Sequence, residues 1–346
     1  MNRLTLQPLL LGLFLLLAGP PAWADGLYVG ESVLDESGAI SSAAQLRALD
    51  EVLIRLSGMV DESPVAVLGL GAGDVRQLQQ SQQRIAVERL GADGATVREL
   101  RLRVDFYPAA VNQLLQRHQL PSWGRERPAI LLWIALEDDE LGAHLARDPV
   151  LEQHVREQAR RFGLDVVRPL GDALDMADVG LADIRGGFLD SSEIAAARYG
   201  AGVIAMLDLR QDDEVWNARW FWRLDGRDSS RSLTVETVAE AVEFGMKRLL
   251  SELAGRYAIF VGGGDRRVRT VIVDGVVDPV QYAEVLKHLE GLSLVESLTL
   301  KRAHGRMIEF ELVTAGEGLE DVIAMSRLLV IDGQGPQGQL QLRIRQ

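Results

Sequence analysis

The sequence predicts an α/β and α+β protein made of three small modules with mixed or antiparallel sheets, the C-terminal one ferredoxin-like. Three observations predict it. Helix-period and strand-period apolar patterns alternate along the whole chain; some strand-like runs are apolar throughout while others alternate with charged residues; and Pro and Gly clusters near 121–128 and 262–264 interrupt both. A chain of 346 residues that is 47% hydrophobic can bury ample core, and its length suits two or three domains.

Residues 1–24 carry the pattern of an export signal: Arg3, an apolar run from Leu9 to Ala18 that is too short to span a bilayer, and Ala22-Trp23-Ala24 before Asp25. The expectation is a soluble periplasmic protein that starts at Asp25 and has no transmembrane segment once the signal is removed. The chain has no Cys, so no lipid anchor of the cysteine-linked kind can form, and disulfides, thiolate metal sites and Cys nucleophiles are excluded with it. Without Arg3 the chain keeps 36 basic against 50 acidic residues, a net charge near −14, which disfavours nucleic acid and anionic lipid as partners.

The first module spans residues 25–120. Leu27 to Leu34 can form a strand, and Ile40, Ala43, Leu46, Leu49, Val52, Leu53 and Leu56 mark one face of a helix that Gly58 ends. A Gly-rich loop and a polar helix near Asp74 to Gln80 lead into a hairpin, where Leu100, Leu102, Val104 and Phe106 alternate with Arg101, Arg103 and Asp105. Pro108 then opens a helix carrying Val111, Leu114 and Leu115.

Leu120 to Pro128 is the expected boundary, because its two prolines and Gly124 continue neither a helix nor a central strand. The second module, 121–264, begins with the apolar run Ala129 to Leu136, read as a strand covered on both faces. Asp148-Pro149 starts a helix through Phe162 that Gly163 ends, and Leu164 to Val167 is the next strand. Ser191 or Ser192 is expected to cap a short helix, Val203 to Leu209 to return as a buried strand, and Val215 to Leu224 to pair with Ser232 to Glu236. A helix from Thr237 to Leu253, stopped by Gly255, completes an α/β layer with a mixed sheet.

Gly262 to Gly264 is read as a joint before the third module, 265–346. There a strand at Arg269 to Val276 and a helix opened by Asp278-Pro279 precede strands at Val295 to Arg302 and Met307 to Val313. A helix with Leu319, Val322, Ile323 and Leu329 and a last strand at Leu340 to Ile344 give β-α-β-β-α-β, the ferredoxin-like order.

Several segments together resemble a known family: Val52 to Gly58, Val104-Asp105-Phe106 before Ala110-Val111-Asn112, Leu120-Pro121-Ser122-Trp123-Gly124 with Arg127-Pro128, and Trp133 to Asp138. They look like domain-of-unknown-function family 2066, a gammaproteobacterial family. The resemblance implies a Gram-negative envelope setting and brings no activity or catalytic residue. Within it, Pro121, Trp123, Gly124, Arg127 and Pro128 form an interdomain motif, with Trp123 as a wedge between domains.

Candidate ligand residues lie in the middle module. Glu137-Asp138-Asp139-Glu140 follows one central strand and Asp208 ends another, so Glu137, Asp138, Asp208 and Arg210 can converge on a polar site, with Arg168 as an anion contact. Paired carboxylates there suit a hard cation or acid–base work, and solvated charge at strand ends accounts for the run equally. Gly69 to Asp74 fits neither phosphate-binding fingerprint, since Asp74 stands where a glycine belongs, and it reads as a surface loop. Trp216, Trp220 and Trp222 share a strand face and read as core. His118, His144, His154, His288 and His304 are scattered without the i, i+4 spacing of a helical zinc site, so no metal and no cofactor are expected. The residues favour a non-catalytic protein that binds an envelope protein partner. The alternative is a periplasmic hydrolase of cell-wall or sugar substrates using the acidic strand ends.

Overall fold

The computed structural model describes residues 26–345 except 92–93, 139–141, 259–265, 293, 316–317 and 327; the expected signal, Asp25, Asp139, Glu140 and the Gly262 to Gly264 joint lie outside the described residues. The architecture is mixed α/β, with three separate sheets.

The N-terminal sheet has the order β1-β3-β2 and is antiparallel, formed by β1 (Val29–Val33), β2 (Gln79–Leu90) and β3 (Thr96–Phe106). Its inner face carries Leu102, Val104 and Phe106, the alternation expected of a half-wet sheet, and packs on α1 (Ser42–Ser57). Ser41 caps α1 by accepting from Ala44 N–H, and Gly58 ends it in the left-handed region at φ 73°. Two short helices, α2 (Pro64–Val67) and α3 (Ala72–Leu78), and α4 (Pro108–Arg117) complete this core.

The middle sheet runs β5-β4-β7-β8-β9, with β6 also paired to β4. Its strands are β4 (Ala129–Asp138), β5 (Gly142–Leu145), β6 (Asp165–Val167), β7 (Val203–Asp212), β8 (Val215–Leu224) and β9 (Arg227–Val235). Strand β4 is buried on both faces through Leu136, as its unbroken apolar run requires, and lends one edge to two partners: β6 runs parallel beside 129–131 and β5 antiparallel beside 135–138. One face is covered by α5 (Pro149–Phe162) and α9 (Val238–Tyr257), where Trp220 and Trp222 are core as expected and Trp216 packs against them. Gly245 makes this packing possible, since a Cβ there would lie 2.0 Å from the Trp220 ring. The other face is covered by a layer of α6 (Ala173–Asp178), α7 (Leu181–Gly186), a 3-10 turn at Leu189–Ser192 and α8 (Glu193–Tyr199).

The C-terminal sheet has five strands, β11-β12-β10-β14-β13, with helices α10 (Pro279–Gly291) and α11 (Leu319–Ala324). The strands are β10 (Arg266–Asp274), β11 (Val295–His304), β12 (Met307–Ala315), β13 (Leu329–Gln334) and β14 (Leu340–Ile344). The predicted strand–helix order is kept and gains one strand. Leu329, expected on the last helix, opens β13, so β14 returns through a hairpin and runs parallel to β10.

Three local expectations change for physical reasons. Helix α9 runs through Gly255 to Tyr257 because the backbone there stays helical. Ser192 occupies the N-cap of α8 but makes no side-chain cap bond, because its Oγ accepts from the buried Trp133 indole at 2.7 Å, and Ser191 Oγ donates to Phe188 O. Of the acidic run, Glu137 and Asp138 lie inside β4 rather than past its end, opposite Ala143 and Gly142 of β5.

The hairpin of β2 and β3 reaches across to α5. Leu90 N–H donates to the Gln153 side-chain oxygen at 2.7 Å, and the Gln153 amide approaches Leu90 O at 3.5 Å.

Candidate functional site

The interdomain motif is the most heavily bonded polar site described. Trp123 is buried, its N–H donates to Leu56 O at 2.7 Å at the end of α1, and its ring stacks on Tyr257 of α9 at 6.2 Å. It sits between the end of α1 and α9. Arg127 lies over the Trp123 ring at 4.0 Å and donates to five main-chain carbonyls: Gly124, Phe162, Gly163, Arg55 and Trp123, at 2.8–3.2 Å. Two of those carbonyls end α5 and one belongs to the last turn of α1. The buried charge therefore sits between the negative ends of two helix dipoles. Burial pushes this guanidinium down to about 9, with nearby Arg55 adding repulsion, so it stays charged at neutral pH.

Arg55 repeats the device from the other side. It donates to the carbonyls of Arg161, Gly26, Leu27 and Val29 at 2.6–3.1 Å and to Glu51 at 2.5 Å. A planar guanidinium with five donors fits such a set of carbonyls, and an ammonium with three does not. Gly58 then lets α1 touch α9, where a Cβ would stand 2.2 Å from that of Ala254. Pro121, Gly124 and Pro128 set the path of the chain around these contacts. Nothing in Arg55 announced burial in the sequence beyond its place on the apolar helix α1.

The strand-end residues come together in part. Cross-strand register puts Glu137 opposite Arg210, and Asp208 opposite Arg219. Asp208 is 1% exposed and lies within β7, which continues to Asp212. Its Oδ2 accepts from Arg210 Nε at 3.1 Å and from Arg219 Nη2 at 2.7 Å. Its Oδ1 has no hydrogen bond and stands 3.8 Å from Arg185 Nε of α7, while Arg185 donates to Glu137 at 2.5 Å. Three guanidinium groups thus share two carboxylates and tie α7 to the sheet. Asp138 has an interaction of its own. Arg168 is not used there: it donates to Glu152 at 3.0 Å, to Ala146 O at 3.0 Å and to Leu132 O. A side chain after a short edge strand finds open carbonyls sooner than a site across the sheet.

One constellation gave no sequence cue. Ser326 Oγ is 2.9 Å from His288 Nε2, and His288 Nδ1 is 3.5 Å from Glu126 Oε1. Ser326 Oγ also accepts from Leu328 N–H at 3.1 Å and Leu329 N–H at 2.9 Å. With both lone pairs taken, the hydroxyl hydrogen is left to donate to Nε2, which places the ring proton on Nδ1 facing Glu126. The order of groups is that of a hydrolase relay. Two amide bonds to Oγ and burial of Ser326 hold the oxygen in a turn before β13. Burial pushes His288 down to about 4, so the ring is neutral at pH 7. Ser326 also borders a groove of about 470 Å³ between the middle and C-terminal modules, with Arg256 bridging Asp225 at 2.8 Å and Asp321 at 3.5 Å.

The loop Gly69 to Asp74 is structural. Asp74 accepts from Gly71 N–H at 2.8 Å and so fills the start of α3 with its own carboxylate. Among the described residues no group of three or more His, Asp or Glu is placed to hold a metal, and no helix is long and apolar enough to cross a membrane.

Residues 22–124 match a family described as a domain of unknown function (DUF8605), a stretch that holds α1 and Trp123 and stops before Arg127. No curated protein matches the chain. Among solved structures, a crystal structure of an uncharacterized protein is 12% identical, with 38% of this chain and 99% of that one covered at a TM-score of 0.16. A homoserine dehydrogenase from S. aureus is 13% identical, with 43% and 42% covered at a TM-score of 0.15. At those scores neither defines a shared fold or an activity.

Proposed function

We propose that this is a non-catalytic protein of the Gram-negative periplasm that acts by binding another envelope protein. One observation carries the reading: the helical layer α6 to α8 leaves a concentration of large apolar side chains in solvent, Phe188 and Ile194 among them. Exposed apolar clusters mark interaction surfaces. The leader-like residues 1–24 and the absence of Cys support an exported protein. The motifs resembling family 2066 support a gammaproteobacterial source. The test is a photo-crosslinking residue placed singly at Phe188, Ile194 and, as a control, Leu300 of β11, followed by fractionation of intact cells. A discrete adduct from the first two positions in the periplasmic fraction is expected. Cytoplasmic protein, or equal adducts at all three positions, overturns the reading.

A second reading, a hydrolase, is favoured by the Ser326–His288–Glu126 order alone, since Glu137 and Asp208 are held by arginines. A fluorophosphonate probe decides it. Labelling that is lost in Ser326→Ala would replace the binding reading, and no labelling of the folded chain is the expected result.

A further inference from the structure

Five large apolar side chains between Leu170 and Ile194 stand in solvent: Leu170 is 70% exposed, Leu174 63%, Met176 44%, Phe188 61% and Ile194 73%. Hydrogen bonds tie the start of α6 to α8. Leu170 N–H donates to Tyr199 Oη at 2.7 Å, and Arg198 bonds Asp172 at 3.2 Å and Asp175 at 2.6 Å, so the first turn of α6 lies along α8. Ile194 is one turn from Arg198 and shares its face. Phe188 directly precedes the 3-10 turn that leads into α8, and its carbonyl accepts from Ser191 Oγ.

Carboxylates alternate with these apolar residues along the layer. They are Asp172, Asp178, Asp183, Asp190 and Glu193, with Asp175 buried. Against these six stand Arg147, which donates to Pro169 O beside Leu170, and Arg185, Arg198 and Arg223, with Arg198 already engaged with Asp172 and Asp175 and Arg223 with Asp190 and Glu193. The layer keeps a negative excess. An anionic bilayer would be repelled by it, whereas a helix with one apolar stripe flanked by Lys or Arg matches both the apolar surface and the charge.

We infer that the α6 to α8 layer docks a cationic amphipathic helix of a partner protein; this rests on the binding reading above and adds the partner's chemistry. The full chain is titrated by fluorescence anisotropy with a labelled Leu/Lys helix of about 18 residues bearing one apolar stripe. A Leu/Glu helix of the same pattern and a scrambled Leu/Lys peptide are the controls. Saturable binding is expected for the Leu/Lys helix, about tenfold tighter than for either control, and weakened severalfold when NaCl rises from about 0.05 to about 0.5 M. Phe188→Ser combined with Ile194→Ser trims two mainly exposed side chains; with the fold checked by circular dichroism, affinity should fall about tenfold while Leu300→Ser leaves it unchanged. Equal binding of the controls, or no loss in the double variant, overturns the inference. So does binding to lipid vesicles alone, or self-association that the double variant abolishes, which would assign the surface to a second copy of the chain. Crosslinks at Phe188 and Ile194 in cells without binding of the Leu/Lys helix would reject the partner chemistry and leave the binding reading standing; absence of those crosslinks would reject the reading itself.

Discussion

Where the N-terminal module meets the middle one, two arginines are buried and spend their donors on main-chain carbonyls; where the middle module meets the C-terminal one, arginine stays at the rim and pairs with exposed carboxylates. Arg55 and Arg127 bind carbonyls of the opposite element, and Ile54 and Val60 pack into the middle core. At the other junction, Arg256 bridges Asp225 and Asp321 in solvent, and the C-terminal core is built from its own residues, Val271 to Leu342. The difference teaches that the bonds a guanidinium makes count for less than the water it loses. The first junction is part of the fold, and the second is a contact between folded parts.

The largest effect should come from Arg127→Met, which fills similar volume and leaves carbonyls at the ends of α1 and α5 unpaired. A loss of about 3–5 kcal/mol is expected in urea unfolding, with the N-terminal and middle modules unfolding together. Arg127→Lys should recover little of it. A loss below about 1 kcal/mol would place the first junction with the second.

Asp208→Asn tests whether a guanidinium cluster inside one module behaves like the clamp between two. Removing a charge 1% exposed and shared by Arg210 and Arg219 should cost about 2–4 kcal/mol, less than Arg127→Met because Glu137 remains near Arg185 and Arg210. Thermal melting with activity-free readouts such as near-UV circular dichroism measures it.

His288 sharpens the contrast by pH. Its folded value near 4 is below the unfolded value near 6.5, so the unfolded chain binds more protons between the two. The stability it contributes is complete above about pH 6.5 and falls as pH drops toward 4, by about 3 kcal/mol. Urea midpoints at pH 7 and pH 4.5 should differ for the natural chain and differ less for His288→Gln. The smallest change is Arg256→Gln at the exposed rim, expected within about 0.5 kcal/mol by thermal melting.

The elements with strong periodicity were legible in the sequence: α1 with its Gly58 cap, the doubly buried β4, and α5 between Asp148 and Gly163. Strand β13 was missed because Leu329 continues a helical spacing, and pairing with β14 decides its state. Helix α7 and strand β5 are too short to show a period. The burial of Arg55 and the meeting of Ser326 with His288 depend on distant backbone that no local pattern records. Strand register sets Glu137 beside Arg210, while Arg168 spends its donors on nearby carbonyls, a choice no sequence pattern records.

The Gln153 amide that meets both main-chain groups of Leu90 has a consequence for how the protein behaves in a crowded compartment. Strand β2 is the outer strand of its sheet, twelve residues long, and a strand of that length is a template for other chains. A side-chain amide has the same donor and acceptor as a peptide unit. Gln153 therefore acts as a single added link at the tip of the hairpin, held rigidly by α5, and a foreign strand arriving there finds the place taken. Replacing it with Ala would leave stability almost unchanged while freeing the tip to recruit neighbours, visible as turbidity on concentration that the natural chain does not show.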